Sequence, residues 1–252
     1  TNPSLTTLEK AIKENPDSKA VILTYPDYFG RTYPLEEMVQ IAHQHEMLVL
    51  IDEAHGVHFS LGQPFPPSAI ELGADLVVQS AHKMAPAMTM ASFLHIHSNR
   101  MLKDNVAYYL KMLQSSSPSY PLLASLDLAR FFLAGITTDI INDTLASVEK
   151  VRERMNRLSG CHVLPVSKYD DPAKITLQVD GGMSGYDIAH LFEHEGIYPE
   201  LATHNQILFI HGLAPLKDVN QLKKSLERVN EQLKIRQSRD IISLYSLFSS
   251  HI

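Results

Sequence analysis

Apolar residues in the first hundred positions fall into short, nearly unbroken runs: Ala20-Val-Ile-Leu-Thr24, Met47-Leu-Val-Leu-Ile51, Leu76-Val-Val-Gln79 and Phe93-Leu-His-Ile96. Runs of this length, bounded by turn residues, predict strands buried on both faces. Between the first two, Leu35, Met38, Ile41 and Ala42 recur at helical spacing and predict a helix over 35–45. Tyr25-Pro-Asp-Tyr-Phe-Gly30 is rich in turn formers and predicts a loop. Strands alternating with helices predict an α/β unit with a mostly parallel sheet covered by helices. Ligands of such sheets bind beyond the C-terminal ends of the strands. Thr24, Asp52 and the run Ser80-Ala-His-Lys83 all fall at that edge.

Residues 101–160 predict mostly helix, broken at Ser115-Ser-Ser-Pro-Ser-Tyr-Pro121. A helix from Thr138 to Leu158 is expected to link two domains. Beyond it the pattern changes. Ile175-Thr-Leu-Gln-Val179 alternates as a half-buried strand does, Tyr186–Glu195 is helical, and Gly196 closes that helix. Ile197–Leu201 and Gln206–Ile210 predict strands, and Pro215–Arg236 a long charged helix. The order β-α-β-β-α predicts a smaller α+β C-terminal domain. The expected boundaries are 1–137 for part of a large domain, 138–160 for the linking helix and 161–252 for the small domain.

Composition narrows the function classes. Of the 252 residues, 44% are hydrophobic and 20% charged, with a net charge of −6. The acidic balance and the lack of a Lys/Arg cluster argue against a nucleic-acid surface. No apolar run approaches ~20 residues, which argues against a membrane span. The single cysteine, Cys161, has no partner for an internal disulfide, and a reducing cytoplasm is the expected location. The chain begins at Thr1 without Met and stops in an apolar stretch, 241–252; a piece of a longer protein is the expectation.

The two strand ends carry the candidate chemistry. One delivers Asp52-Glu-Ala-His55-Gly56, the other Ser80-Ala-His82-Lys83. A strand ending in a carboxylate and a later one ending in a lysine is what a pyridoxal 5'-phosphate enzyme needs. The lysine makes the Schiff base, and the carboxylate holds the proton on the pyridine nitrogen. Ala54 is small enough to lie under a flat ring, and His55 could donate to its phenolic oxygen. Ser80 and His82 offer donors to the phosphate. A single Lys or Asp after a strand is ordinarily a solvated turn residue. It is the order of the two motifs on matching strands that favours the functional reading.

These motifs, with the later Ser-Pro-Ser-Tyr segment, resemble the Orn/Lys/Arg decarboxylase family, in its Gram-positive-type branch. The resemblance is carried by Ser80-Ala-His-Lys83 within Glu71-Leu-Gly-Ala-Asp-Leu-Val-Val-Gln-Ser80. It extends to Thr24–Gly30, to Ser184-Gly-Tyr186 and to Gly196-Ile-Tyr-Pro-Glu200. It implies a fold-type-I architecture, related to aspartate aminotransferase, and PLP-dependent decarboxylation of arginine, lysine or ornithine. It implies Lys83 as the Schiff-base lysine, Asp52 as the pyridinium partner, His55 beside the cofactor, and Ser80 and His82 at the phosphate. It also implies that the Ser115–Ser117 turn, with Ser115 and Ser116, reaches the phosphate site of a neighbouring subunit, and that Glu200 lies near the substrate. A homodimer or higher homo-oligomer follows from the same resemblance. So does a preceding half of the large domain, absent before Thr1 and either missing or a separate chain. After Lys83 the sequence departs from the family pattern, running Met84-Ala-Pro-Ala-Met-Thr-Met-Ala91.

Three other readings stand beside this one. Asp52-Glu-Ala-His55 also resembles the α-oxoamine synthases, and aminotransferases share the scaffold. His190-Leu-Phe-Glu193-His194 fits the H-x-x-E-H pattern of a metallohydrolase, but no third ligand follows, and no metal is expected. A catalytically incomplete homologue is the third.

Overall fold

The computed structural model describes residues 3–100 and 103–249, with side chains to residue 236. The apolar end of the chain, 241–252, and Thr1 lie outside the residues whose side chains are described. Two compact units form: 1–137 with 167–171, and 138–166 with 172–252.

The first unit contains α1 (Leu5–Glu14), β1 (Ala20–Thr24), α2 (Leu35–Gln44), β2 (Leu48–Asp52), a 3-10 turn (Val57–Leu61), β3 (Leu76–Ser80), α3 (Ala81–Met84), β4 (Ser92–Ile96), α4 (Lys103–Leu113) and α5 (Tyr120–Ala134). The four strands lie in the order β1-β2-β3-β4. β1, β2 and β3 are parallel, with Thr24 opposite Asp52 and Asp52 opposite Val78. The predicted α/β architecture is therefore present. β4, however, runs antiparallel to β3, pairing Ser80 with Ser92. The connection from Ala85 to Ala91 is a short turn, and a parallel return needs a crossover of a dozen or more residues.

The sheet has unlike faces. Val49, Ile51, Glu53, Val77 and Gln79 are buried. Leu48, Leu50, Leu76 and Val78, on the alternate positions, are only half-buried, and Ile22 is 75% exposed. Asp52 and Ser80 share this more open face by strand alternation. Asp75, 1% exposed, ties helix and sheet together. Its Oδ2 accepts from the Val49 amide (2.8 Å) and lies 2.9 Å from His43 Nε2. Burial pushes this carboxyl up, but hydrogen bonds from Ser98, Val49 and His43 outweigh it and hold it below the ordinary range.

The second unit contains α6 (Thr138–Met155), β5 (Cys161–Val163), β6 (Lys174–Val179), α7 (Gly185–His194), β7 (Leu201–Ala202), β8 (Gln206–Ile210) and α8 (Val219–Ser249). Its antiparallel sheet has the order β5-β6-β8-β7. The helix expected as a link, α6, contributes Val148, Val151 and Met155 to this unit's core, together with Leu177, Ile188, Phe192, Ile207 and Val229. β7 is shorter than the strand predicted over 197–201. Ile197 N donates to Phe192 O in the helix ending, and Pro199 has no N–H for a ladder. Ser184 caps α7 by a capping box with Asp187. Gly185 packs so tightly that a Cβ there would collide with the carbonyl oxygen of Thr203.

Among the described residues, no single helix is long and apolar enough to cross a membrane.

Candidate active site

The C-terminal ends of β2 and β3 lie side by side, because Asp52 and Val78 are register partners. β2 ends in Asp52 and the chain then turns. Ala54 N donates to Asp52 Oδ1 at 3.0 Å, which shapes the turn and brings His55 back toward the sheet. β3 ends in Ser80, which leads into the single helical turn of α3 carrying His82 and Lys83.

Lys83 Nζ lies 2.9 Å from His55 Nε2. Either the ammonium donates to the Nε2 lone pair, or a neutral amine accepts from Nε2–H. In both cases one proton lies between the two nitrogens. The Tyr28 ring completes the group. Its centroid is 5.7 Å from Lys83 Nζ, and it meets the His55 imidazole edge-on at 4.3 Å. Asp27 holds Tyr28 in place: its Oδ1 accepts from Phe29 N and Arg31 N, both at 2.9 Å, and its backbone O accepts from Gly30 N. Gly30 has φ +80°, which closes the turn.

The structure thus brings Lys83 and His55 into contact and sets Asp52 and Ala54 on the same turn as His55. Asp52 has an exposed side chain and, among the described residues, no cationic partner. Ser80 makes no capping bond with its side chain. His82 Nδ1 is 3.1 Å from the Ala91 carbonyl, so it donates there. Ser115 and Ser116 lie in the exposed connection between α4 and α5. The hydroxyl of Ser115 donates to Ser117 O and accepts from Ser117 N within that turn. Glu200 belongs to the second unit, where its amide donates to Leu208 O. His190, from the H-x-x-E-H pattern, pairs at 3.0 Å with Glu193 on an exposed helix face. Among the described residues no group of three or more His, Cys, Asp or Glu comes together for a metal ion.

Two clefts among the described residues do not contain Lys83. One of about 690 Å³ lies in the first unit, between Tyr25, Tyr33, Phe65 and Tyr169. Another of about 660 Å³ lies in the second, among Ile197, Phe209 and Leu222. Burial raises the Tyr25 and Tyr33 phenols above their ordinary range.

Sequence reasoning missed three residues here. Tyr28 was legible only as part of a loop following a strand. Glu53 and Gln79 stand on the buried face of the sheet, behind Asp52 and Ser80. Glu53 Oε1 accepts from Ala69 N at 2.6 Å and Oε2 from Gln79 Nε2 at 2.5 Å. Burial pushes the Glu53 carboxyl up to about 7, and these two hydrogen bonds limit the rise.

The donor set suits pyridoxal 5'-phosphate. A lysine amine touches an imidazole, and the neighbouring strand ends in a carboxylate that has no cationic partner among the described residues and is followed closely by a small alanine.

A family model described as Orn/Lys/Arg decarboxylase, major domain, matches residues 4–170. The chain is 42% identical over 225 residues to the uncharacterised protein YaaO of Bacillus subtilis, covering 87% of this chain and 47% of that protein. It is 33% identical over 240 residues to an arginine decarboxylase of B. subtilis, covering 91% of this chain and 49% of the relative. It therefore spans about half the length of these curated relatives. Among solved structures, the constitutive lysine decarboxylase of E. coli superimposes with a TM-score of 0.69 at 17% identity, covering 92% of this chain and 39% of that one. The fold is that of the fold-type-I pyridoxal phosphate enzymes.

Proposed function

This chain belongs to the Orn/Lys/Arg decarboxylase family, and we propose that it carries the lysine-bearing part of an enzyme that decarboxylates arginine, lysine or ornithine with pyridoxal 5'-phosphate. The observation that carries the reading is the 2.9 Å contact of Lys83 with His55 at the strand edge that ends in Asp52. When bound, the cofactor supplies the electron sink for the bond between Cα and the departing carboxylate.

In this reading the chain's own groups have separate tasks. Lys83 would hold the cofactor through Nζ. His55 Nε2 exchanges a proton with Lys83 Nζ over one hydrogen-bond length. Asp52 would keep a proton on the pyridine nitrogen through charge pairing. Ala54 leaves room for the ring. Ser80 and His82 hold the phosphate, and Ser115 and Ser116 serve the phosphate of a neighbouring subunit in a homo-oligomer. Glu200 pairs with the distal cation of the substrate. The half-open apolar face beside Asp52 is covered by further polypeptide, from the same protein or from a second subunit, because a parallel sheet is stable only with both faces covered.

The test is reduction of the chain with borohydride in the presence of pyridoxal phosphate, followed by peptide mass spectrometry. The reading requires the adduct on Lys83, and an adduct only on other lysines overturns it. A screen with arginine, lysine and ornithine, scoring carbon dioxide against keto acid, then separates a decarboxylase from an aminotransferase or α-oxoamine synthase.

A further inference from the structure

Glu53 is adjacent in sequence to Asp52, but it points the other way. It is 0% exposed, on the buried face of the sheet. Its two carboxyl oxygens face two donors, Ala69 N at 2.6 Å and Gln79 Nε2 at 2.5 Å. Gln79 Oε1 in turn lies 2.9 Å from His95 Nε2. Glu53 N donates to Val78 O, and Gly56 N to Glu53 O, both at 2.9 Å. A Cβ on Gly56 would stand 2.6 Å from Glu53 Cγ, so the returning turn packs directly against this side chain. One chain of contacts, Glu53–Gln79–His95, therefore crosses β2, β3 and β4 just behind the edge where Asp52 and Lys83 emerge. Gln79 immediately precedes Ser80, the start of the turn that carries Lys83.

We propose that Glu53 is a positioning residue: from the buried side of the sheet it pins the end of β2 to the end of β3 and so fixes Asp52 and His55 relative to Lys83. The inference rests on the assignment of Lys83 as the cofactor-bearing amine. The physical requirement is an acceptor between two buried donors. An unmatched buried donor is costly, so the strand ends shift to find another partner if the acceptor is removed. A leucine of similar length has no acceptor. A glutamine keeps one, and the Gln79 amide can turn over to meet its NH2 group, with His95 Nε2 then presenting a lone pair. A carboxyl that merely filled a polar hole in the core would change stability without changing the chemistry at Lys83.

The experiment uses the full chain, pyridoxal phosphate and cyanoborohydride. Mass spectrometry reads adduct on Lys83 relative to the exposed Lys10, with circular dichroism reporting the fold. A misplaced reacting group loses rate steeply, so in folded Glu53→Leu the Lys83/Lys10 ratio should fall on the order of 10-fold, while Glu53→Gln stays within about threefold of the native chain. A native ratio in folded Glu53→Leu, or a loss in Glu53→Gln as large as that in Glu53→Leu, overturns the proposal. Should Glu53→Leu not fold, Gln79→Leu reads the same contact from its other side and is expected to show the same loss. If the native chain itself shows no preference for Lys83, the cofactor assignment fails. Amide exchange then decides the pinning alone. Ala69 N–H should be protected in the native chain and in Glu53→Gln, and should exchange faster in Glu53→Leu; equal exchange in all three overturns it.

Discussion

Glu53→Gln removes a buried titration, and the consequence can be worked through. In the unfolded chain this carboxyl has its ordinary value of 4.5; in the folded chain burial raises it to about 7. Below about 4.5 it is protonated in both states and contributes no pH dependence. Between 4.5 and 7 the unfolded chain releases the proton while the folded chain keeps it, so stability falls as pH rises. Above 7 the loss is complete. Each tenfold difference in proton affinity is worth about 1.4 kcal/mol, so the interval corresponds to roughly 3 kcal/mol. A glutamine does not titrate. The stability of Glu53→Gln minus that of the native chain should therefore grow by roughly 3 kcal/mol between pH 4.5 and 7.5 and then level off. Urea unfolding of both proteins, followed by circular dichroism at intervals of half a pH unit, measures that difference. Because every other group is common to both proteins, its contribution cancels. A difference that stays flat from pH 5 to 8 would refute the argument that this carboxyl is desolvated without a compensating cation.

Other substitutions probe the remaining parts of the argument. Lys83→Ala should abolish the reduced adduct at this position while leaving the melting temperature nearly unchanged, since Lys83 stands at the edge of the sheet; peptide mapping checks the first and calorimetry the second. Gly185→Ala should destabilise the second unit by about 1–3 kcal/mol, because the new methyl meets the Thr203 carbonyl oxygen. Phe192→Ala removes a fully buried ring in contact with Phe209 and should cost about 3–5 kcal/mol in denaturant unfolding.

The strand runs at 20–24, 47–51 and 76–79 and the edge at which Asp52 and Lys83 emerge were legible because each is set by a local pattern. A short apolar run ends where turn residues begin, and the side chain at that junction is then at the strand's C-terminal end. The same logic found the α7 helix, with its closing glycine. It overextended the strand before Leu201, where a helix ending and Pro199 take over, and it missed β5, whose three residues carry too short a pattern. The direction of β4 depended on the length of a turn, and the role of α6 on what its apolar side packs against.

Residue types and their order determined which chemistry is available: an acid and an amine at neighbouring strand ends, with an imidazole after the acid. Tertiary structure decided which of these groups meet. Tyr28 joins Lys83 and His55 only because β1 lies beside β2, and Glu53 reaches Gln79 only because β2 lies beside β3 in a particular register. Periodicity assigns each side chain to a face of its own strand, but hydrogen bonds between strands set the offset. That offset belongs to pairs of segments far apart in the chain, so no single stretch of sequence contains it.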